Sequence, residues 1–200
     1  STGGSGASTL ITPLAAALAS IDDSGKGVCV IDLDLQSGDV ASYIGVEPKV
    51  TISALLEAGE RLDSQLMRSA ITQTRYGYSI IAAPEAITPL DTVDVDQLLR
   101  VLTLARPHFG HVLVDLPAVW TNWSLSTVVA SSEVLLVTDL SIASLRQARR
   151  RLDQLEENFR AYYLWHAVRG VALPLPDRLM PVALTGSGQL GEMLAERGKL

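Results

Sequence analysis

Lysine is scarce in this chain. Of sixteen basic residues only Lys26, Lys49 and Lys199 are lysine; the rest are arginine. Cysteine is rarer still: Cys29 is alone, inside the apolar run Val28-Cys29-Val30-Ile31. One thiol excludes a disulfide framework and fits a reducing compartment, so a cytoplasmic address is expected. The three histidines, His108, His111 and His166, lack metal-ligand spacing and read as structural. No Ser/His/Asp arrangement emerges. No apolar run reaches the ~20 residues a membrane helix needs, and no signal peptide is visible. A net charge of −6 argues against binding nucleic acid through bulk electrostatics. There is no internal repeat and no low-complexity segment.

What is present suits one globular α/β domain over residues 1–200, with 48% hydrophobic and 19% charged residues. Short apolar runs alternate with helical patterns. Strands are expected at Val28–Leu33, Tyr78–Ala82, His111–Leu116, Glu133–Thr138 and Val168–Leu173. Helices are expected at Ser8–Ser20, Thr51–Ala58, Asp63–Ser69, Val93–Ala105, Ser124–Ala130, Gly191–Arg197 and from Ser141 to about Tyr163. Nearly all-apolar strands alternating with helices mean a mostly parallel sheet with helices on both faces, a three-layer domain. Pro13 lies inside the first helix, where it removes a donor and crowds the Thr9 carbonyl, at a cost of roughly 3 kcal/mol or a kink.

The chain opens on Ser1-Thr2-Gly3-Gly4-Ser5-Gly6-Ala7-Ser8-Thr9, a glycine-rich turn leading into that helix. Glycines let backbone N–H groups approach an anion, and a helix N-terminus adds positive potential. The N–H groups of Gly4 to Thr9 can cradle phosphates, and the Ser8 hydroxyl is placed to ligate Mg²⁺. The bland alternative is a Gly/Ser-rich terminus with no ligand. A phosphate loop normally hangs from a central strand, so a strand preceding the loop is expected to be missing, with a second gap suspected near residues 160–168.

Asp32 and Asp34 follow one apolar run and Asp115 ends another. Carboxylates at the C-terminal edge of buried strands can hold a metal-bound water or orient an attacking one. Solvated loop carboxylates are the competing reading for Asp32 and Asp34, and Asp115 alone is a weak sign. Together, and in this order, loop and carboxylates make a stronger set. Arg146, Arg149 and Arg150 share a helix face; with Arg151 they read as a solvated face, against a surface for DNA, anionic lipid or an acidic partner. Trp120 and Trp123 are either core or an exposed partner surface, their place beside the crevice favouring contact, and Cys29 is expected to lie in the core.

With these residues in hand, the chain resembles the MinD/ParA group of deviant phosphate-loop ATPases, whose loop reads K-G-G-x-G-K-[ST]-T. It keeps Gly3, Gly4, Gly6, Ser8 and Thr9, with Thr2 and Ala7 where the two lysines would stand. More narrowly it looks like the CpaE/TadZ branch, which serves Flp/Tad pilus assembly. The supporting stretches are Ile31-Asp32-Leu33-Asp34-Leu35-Gln36-x-Gly38-Asp39, Ala82-Ala83-Pro84, Val114-Asp115-Leu116-Pro117 and Leu136-Val137-Thr138-Asp139-Leu140-Ser141-x-x-Ser144-Leu145-Arg146. The resemblance covers residues 1 to about 155, and more loosely Leu173-Pro174-Leu175-Pro176-Asp177 to the end.

The resemblance implies an ATP- and Mg²⁺-binding scaffold that helps assemble and place pilus machinery at a cell pole. Gly3, Gly4, Ser5, Gly6, Ala7, Ser8 and Thr9 would surround the phosphates. Ser8, Asp32 and Asp115 would hold the metal, and Asp34 would position water. Without the lysines hydrolysis is expected to be weak or absent, and homodimerisation through the neighbour's phosphates loses its lysine. Partners implied are pilus-assembly or secretion proteins and a second copy, ahead of DNA or a membrane surface. The alternative is a slow Mg²⁺-dependent ATPase that positions septum, DNA or other cargo. An adenine-facing asparagine after a late strand is not found, nor is a membrane-anchoring terminal helix, Gly191–Arg197 being too short.

Overall fold

The computed structural model describes residues 6–168 and 179–183, with side-chain surroundings given through Glu157. These residues form a mostly parallel α/β fold in two compact units, one spanning Ala7–Thr127 and the other combining Gly6 with the residues from Val128 on.

In the first unit, helix α1 (Ala7–Ile21) leads into β1 (Val28–Asp32). Three short helices follow: α2 (Val40–Ile44), α3 (Ile52–Leu56) and α4 (Ser64–Ala70). Then come β2 (Thr72–Gln73), β3 (Ser79–Ile81), α5 (Val95–Ala105) and β4 (His111–Asp115). The sheet order is β2-β3-β1-β4. β1 lies parallel between β3 and β4, and β2 adds an antiparallel edge.

β1 is apolar at every position but its last because both faces are covered. Val28 and Val30 join Ile11, Ala15, Val40, Ile44, Tyr78 and Ile80 on the face under α1 and α2. Cys29 and Ile31 join Leu55, Met67, Leu98, Val101 and Ala105 on the opposite face, under α3, α4 and α5. A side-chain period of two thus sorts one strand between two cores. Cys29 is fully buried, and burial pushes its thiol up to about 12, an inert core residue as expected.

Side-chain caps fix the helix starts. Asp63 accepts from the N–H groups of Gln65 (2.9 Å) and Leu66 (2.7 Å), and Asp94 accepts from that of Gln97 (2.7 Å). α6 (Asn122–Ala130) opens on a reciprocal pair: Thr121 N–H donates to the Ser124 hydroxyl, and Ser124 N–H to that of Thr121.

The second unit contains β5 (Val134–Thr138) paired in parallel with β6 (Leu179–Ala183), and α7 (Ile142–Val168) against β5. Ser141 caps α7 as its position foretold, accepting from the Ser144 N–H at 3.1 Å.

Several expectations need correction. Val168 is the last residue of α7, not the first of a strand, and the rest of Val168–Leu173 lies outside the described residues, as does Gly191–Arg197. The strand that pairs with β5 is β6, which contains Pro181. α2 and β2 were not foreseen. The first helix, by contrast, forms as expected with Pro13 inside it; the Thr9 carbonyl, deprived of its usual N–H, accepts the Thr12 hydroxyl at 3.3 Å. Trp123 is 2% exposed, packed under the sheet with its indole N–H on the Leu90 carbonyl at 2.8 Å, so it does not serve as a contact residue. Among the described residues no helix is long and apolar enough to cross a membrane.

Candidate functional site

The site forms at the C-terminal ends of β1 and β4, beneath the start of α1. Parity decides which side chains meet there. Asp32 shares its face of β1 with Val28 and Val30, the face α1 covers. Asp115 pairs with Asp32 in register, and like Leu113, two residues before it, it faces α1. Residues far apart in the chain thus bring two carboxylates to the first turn of α1. Gly6, with φ +83°, makes the bend into that turn, a conformation open to glycine without strain.

Ser8, in this first turn, stands beside the Asp115 carboxylate, close enough for its hydroxyl to favour the ionised form. Asp115 is 5% exposed, and its Oδ2 is buried without a hydrogen-bond partner. Such an orphaned carboxylate oxygen is costly to bury and marks a place where an outside group completes the set. Burial raises the Asp115 pKa, the nearby Ser8 hydroxyl opposing and the charge of Asp34 adding to the shift.

Asp32, 1% exposed, is held differently. Its Oδ1 accepts from the Asp34 N–H at 3.0 Å and its Oδ2 from the Val40 N–H at 3.3 Å. It braces the loop that leaves β1. Burial first, then the neighbouring Asp115 charge, pushes its carboxyl up to about 7. Asp34 is half-buried, and its Oδ1 accepts from the N–H of Ser37 at 3.1 Å.

Gly38, which the sequence reading quoted but gave no role, closes this loop. A Cβ there would strike the Ala83 side chain, lie 2.5 Å from the Asp34 carbonyl oxygen and 2.9 Å from Asp32 Oδ1. The Ala82-Ala83 pair, small and fully or nearly buried, leaves room for that approach. The signal was available: a glycine four residues after the second aspartate, and two alanines directly after the neighbouring strand.

The structure therefore brings together Ser8, Asp32 and Asp115, with Asp34 on the loop that Asp32 braces. Ala7 and Ser8 are half-buried at the start of α1, and Thr9 is exposed. Gly3, Gly4 and Ser5 lie outside the described residues. No group of three or more His, Cys, Asp or Glu side chains among the described residues forms a metal cage by itself. The donors are one hydroxyl and two carboxylates, all hard oxygens. That suits Mg²⁺, which keeps several waters and takes one or two carboxylates plus substrate phosphate.

No family model matches this sequence. The septum site-determining protein MinD of Thermotoga maritima is 26% identical over 158 residues, 77% of this chain and 55% of that one. The crystal structure of the Pyrococcus furiosus cell division ATPase MinD superposes with a TM-score of 0.61 at 26% identity, covering 77% of this chain and 62% of that one. The septum site-determining protein MinD of Pyrococcus horikoshii, complexed with Mg-ADP, gives 0.63 at 23% identity, covering 78% and 62%. The chain spans about half the length of the curated MinD relatives it matches. In sequence and in fold, the chain is similar to the MinD/ParA superfamily of P-loop ATPases.

Proposed function

We propose that this crevice binds a nucleoside triphosphate with Mg²⁺, and that the protein is an atypical ATP-binding scaffold in which hydrolysis is weak or absent. The observation that carries this reading is Asp115, a buried carboxylate beside Ser8 whose Oδ2 has no partner, at the first turn of α1. A Mg²⁺-bound nucleotide supplies what is lacking there, a cation for the carboxylates and an anion for the helix start. Ser8, Asp32 and Asp115 hold the metal, directly or through its waters. Backbone N–H groups of the loop through Thr9 hold the phosphates, and Asp34 orients water.

Thr2 and Ala7 stand where the MinD/ParA loop carries lysine. Removing one donor to developing transition-state charge slows reactions by about 10²–10³-fold, so binding outlasts hydrolysis. Within the superfamily we assign the chain to the CpaE/TadZ type, acting with pilus-assembly proteins at a cell pole, as a monomer or a dimer. The support is the alanine at the lysine position together with the stretches from Ile31 to Asp39 and from Leu136 to Arg146.

Calorimetric titration with Mg-ATP and a phosphate-release assay test this. Binding is expected to require Mg²⁺ and to weaken at least about tenfold in Ser8→Ala, with the melting temperature little changed. Absence of binding heat in the wild-type protein overturns the nucleotide reading. Multiple turnovers that vanish in Asp34→Asn overturn the scaffold and favour a slow positioning ATPase.

A further inference from the structure

Three of the nine large hydrophobic side chains exposed among the described residues fall within six consecutive positions, at the start of α7. They are Leu140 (57% exposed), Ile142 (71%) and Leu145 (44%). Positions 142, 145, 146 and 149 follow an i, i+3, i+4, i+7 pattern and share one face of the helix. That face carries Ile142, Leu145, Arg146 and Arg149, with exposed Arg150 at its edge. Ala148 and Leu155, on the other side, are buried. α7 is thus anchored by one face and presents a second, mixed apolar and cationic face to solvent.

Two acids lie close to this face, and each is already engaged: Asp139 stays ionised, its charge set against the positive start of the helix. Asp139 is committed to the helix cap: its carboxylate accepts from the Ser141 N–H and the Ser144 hydroxyl, both at 2.7 Å. Arg149 is paired with Asp153 at 2.9 Å, both exposed. Neither Arg146 nor Arg150 has an ion pair with any described residue.

We propose that the first turns of α7 are a surface for anionic lipid. Ile142 and Leu145, with Leu140 beside them, enter the boundary between headgroups and acyl chains, while Arg146 and Arg150 contact the phosphates. Charge complementarity selects an anionic partner. The apolar side chains select lipid over nucleic acid, because duplex phosphates give them nothing to enter. Their position on a convex helix face suits a planar, yielding surface. This proposal is independent of the nucleotide reading and survives its failure.

Flotation of the intact protein, without nucleotide, on phosphatidylcholine vesicles with and without phosphatidylglycerol tests it. Binding is expected only with phosphatidylglycerol and should weaken as salt rises. The pair Ile142→Ser and Leu145→Ser is expected to lower binding about tenfold or more. Arg146→Gln with Arg150→Gln is expected to do so by a similar factor. All four residues are exposed, so the melting temperatures of both variants should match the wild type. Equal binding to neutral vesicles, no binding to anionic ones, or binding that survives both double variants overturns the proposal. So does salt-dependent capture of duplex DNA or poly-glutamate by a protein that ignores anionic vesicles.

Discussion

Asp32 shows how one side chain couples the site to stability. Its carboxyl titrates at about 7 in the folded chain against 3.8 when free. Between those values the folded state holds a proton that the unfolded state has lost. Stability therefore falls as pH rises through that window and levels off above it. The full effect is up to about 4 kcal/mol, from the size of the shift. Melting temperatures of the nucleotide-free protein between pH 4.5 and 8 should show this decline. Asp32→Asn should remove most of the slope and Asp115→Asn the remainder; an unchanged slope in both variants contradicts the assignment. Asp32 and Asp115 were legible as a pair because each ends an apolar run. The division of labour between them was not, since it depends on backbone N–H groups at positions 34 and 40. Gly38 escaped for the same reason: its neighbour Ala83 is 45 residues away in the chain.

Among the elements, α1 forms where it is expected, in spite of its proline. Pro13 is exposed on its outer side, and the lost backbone hydrogen bond is partly replaced by the Thr12 hydroxyl. The helix tolerates the proline without requiring it. Pro13→Ala is expected to restore the bond to Thr9 and stabilise the protein by about 1–3 kcal/mol. Chemical denaturation reads this; a loss of stability would mean that the rigidity the ring gives the chain outweighs the missing hydrogen bond. Long periodic helices and five-residue apolar strands were readable because burial on one or both faces writes itself into the composition. α2 and β2 were not, having five and two residues. β6 was hidden by Pro181, which argues against a strand when only the sequence is seen. Trp123 misled because its place after Leu116-Pro117 suggests a crevice wall, whereas the capped turn of α6 folds it into the core. The arginines of α7 were readable as an exposed face, but the apolar residues sharing that face became visible only from their exposure.

For the molecule as a whole, charge is unevenly distributed along the chain. Residues 7–127 carry fourteen acidic and seven basic side chains, a net −7, while residues 128–200 carry eight acidic and nine basic, a net +1. Self-repulsion within the first segment opposes compaction and is screened by salt. Raising KCl from low to moderate concentration should lift the melting temperature by about 2–4 °C. A scan that falls with salt would show that attractive pairs, rather than repulsion, dominate the surface. Such screening would also weaken lipid attachment through α7, so the two readouts should move in opposite directions in one salt series.

The hairpin between β2 and β3 turns at Gly77, φ +86°, with the Arg75 guanidinium lying 4.9 Å over the Tyr76 ring. Because β3 and β1 run in parallel, this tip sits at the strands' entry end, while the carboxylates stand at their exit. A fluorophore or affinity handle spliced there would report on the molecule from its blank side, leaving the crevice unobstructed.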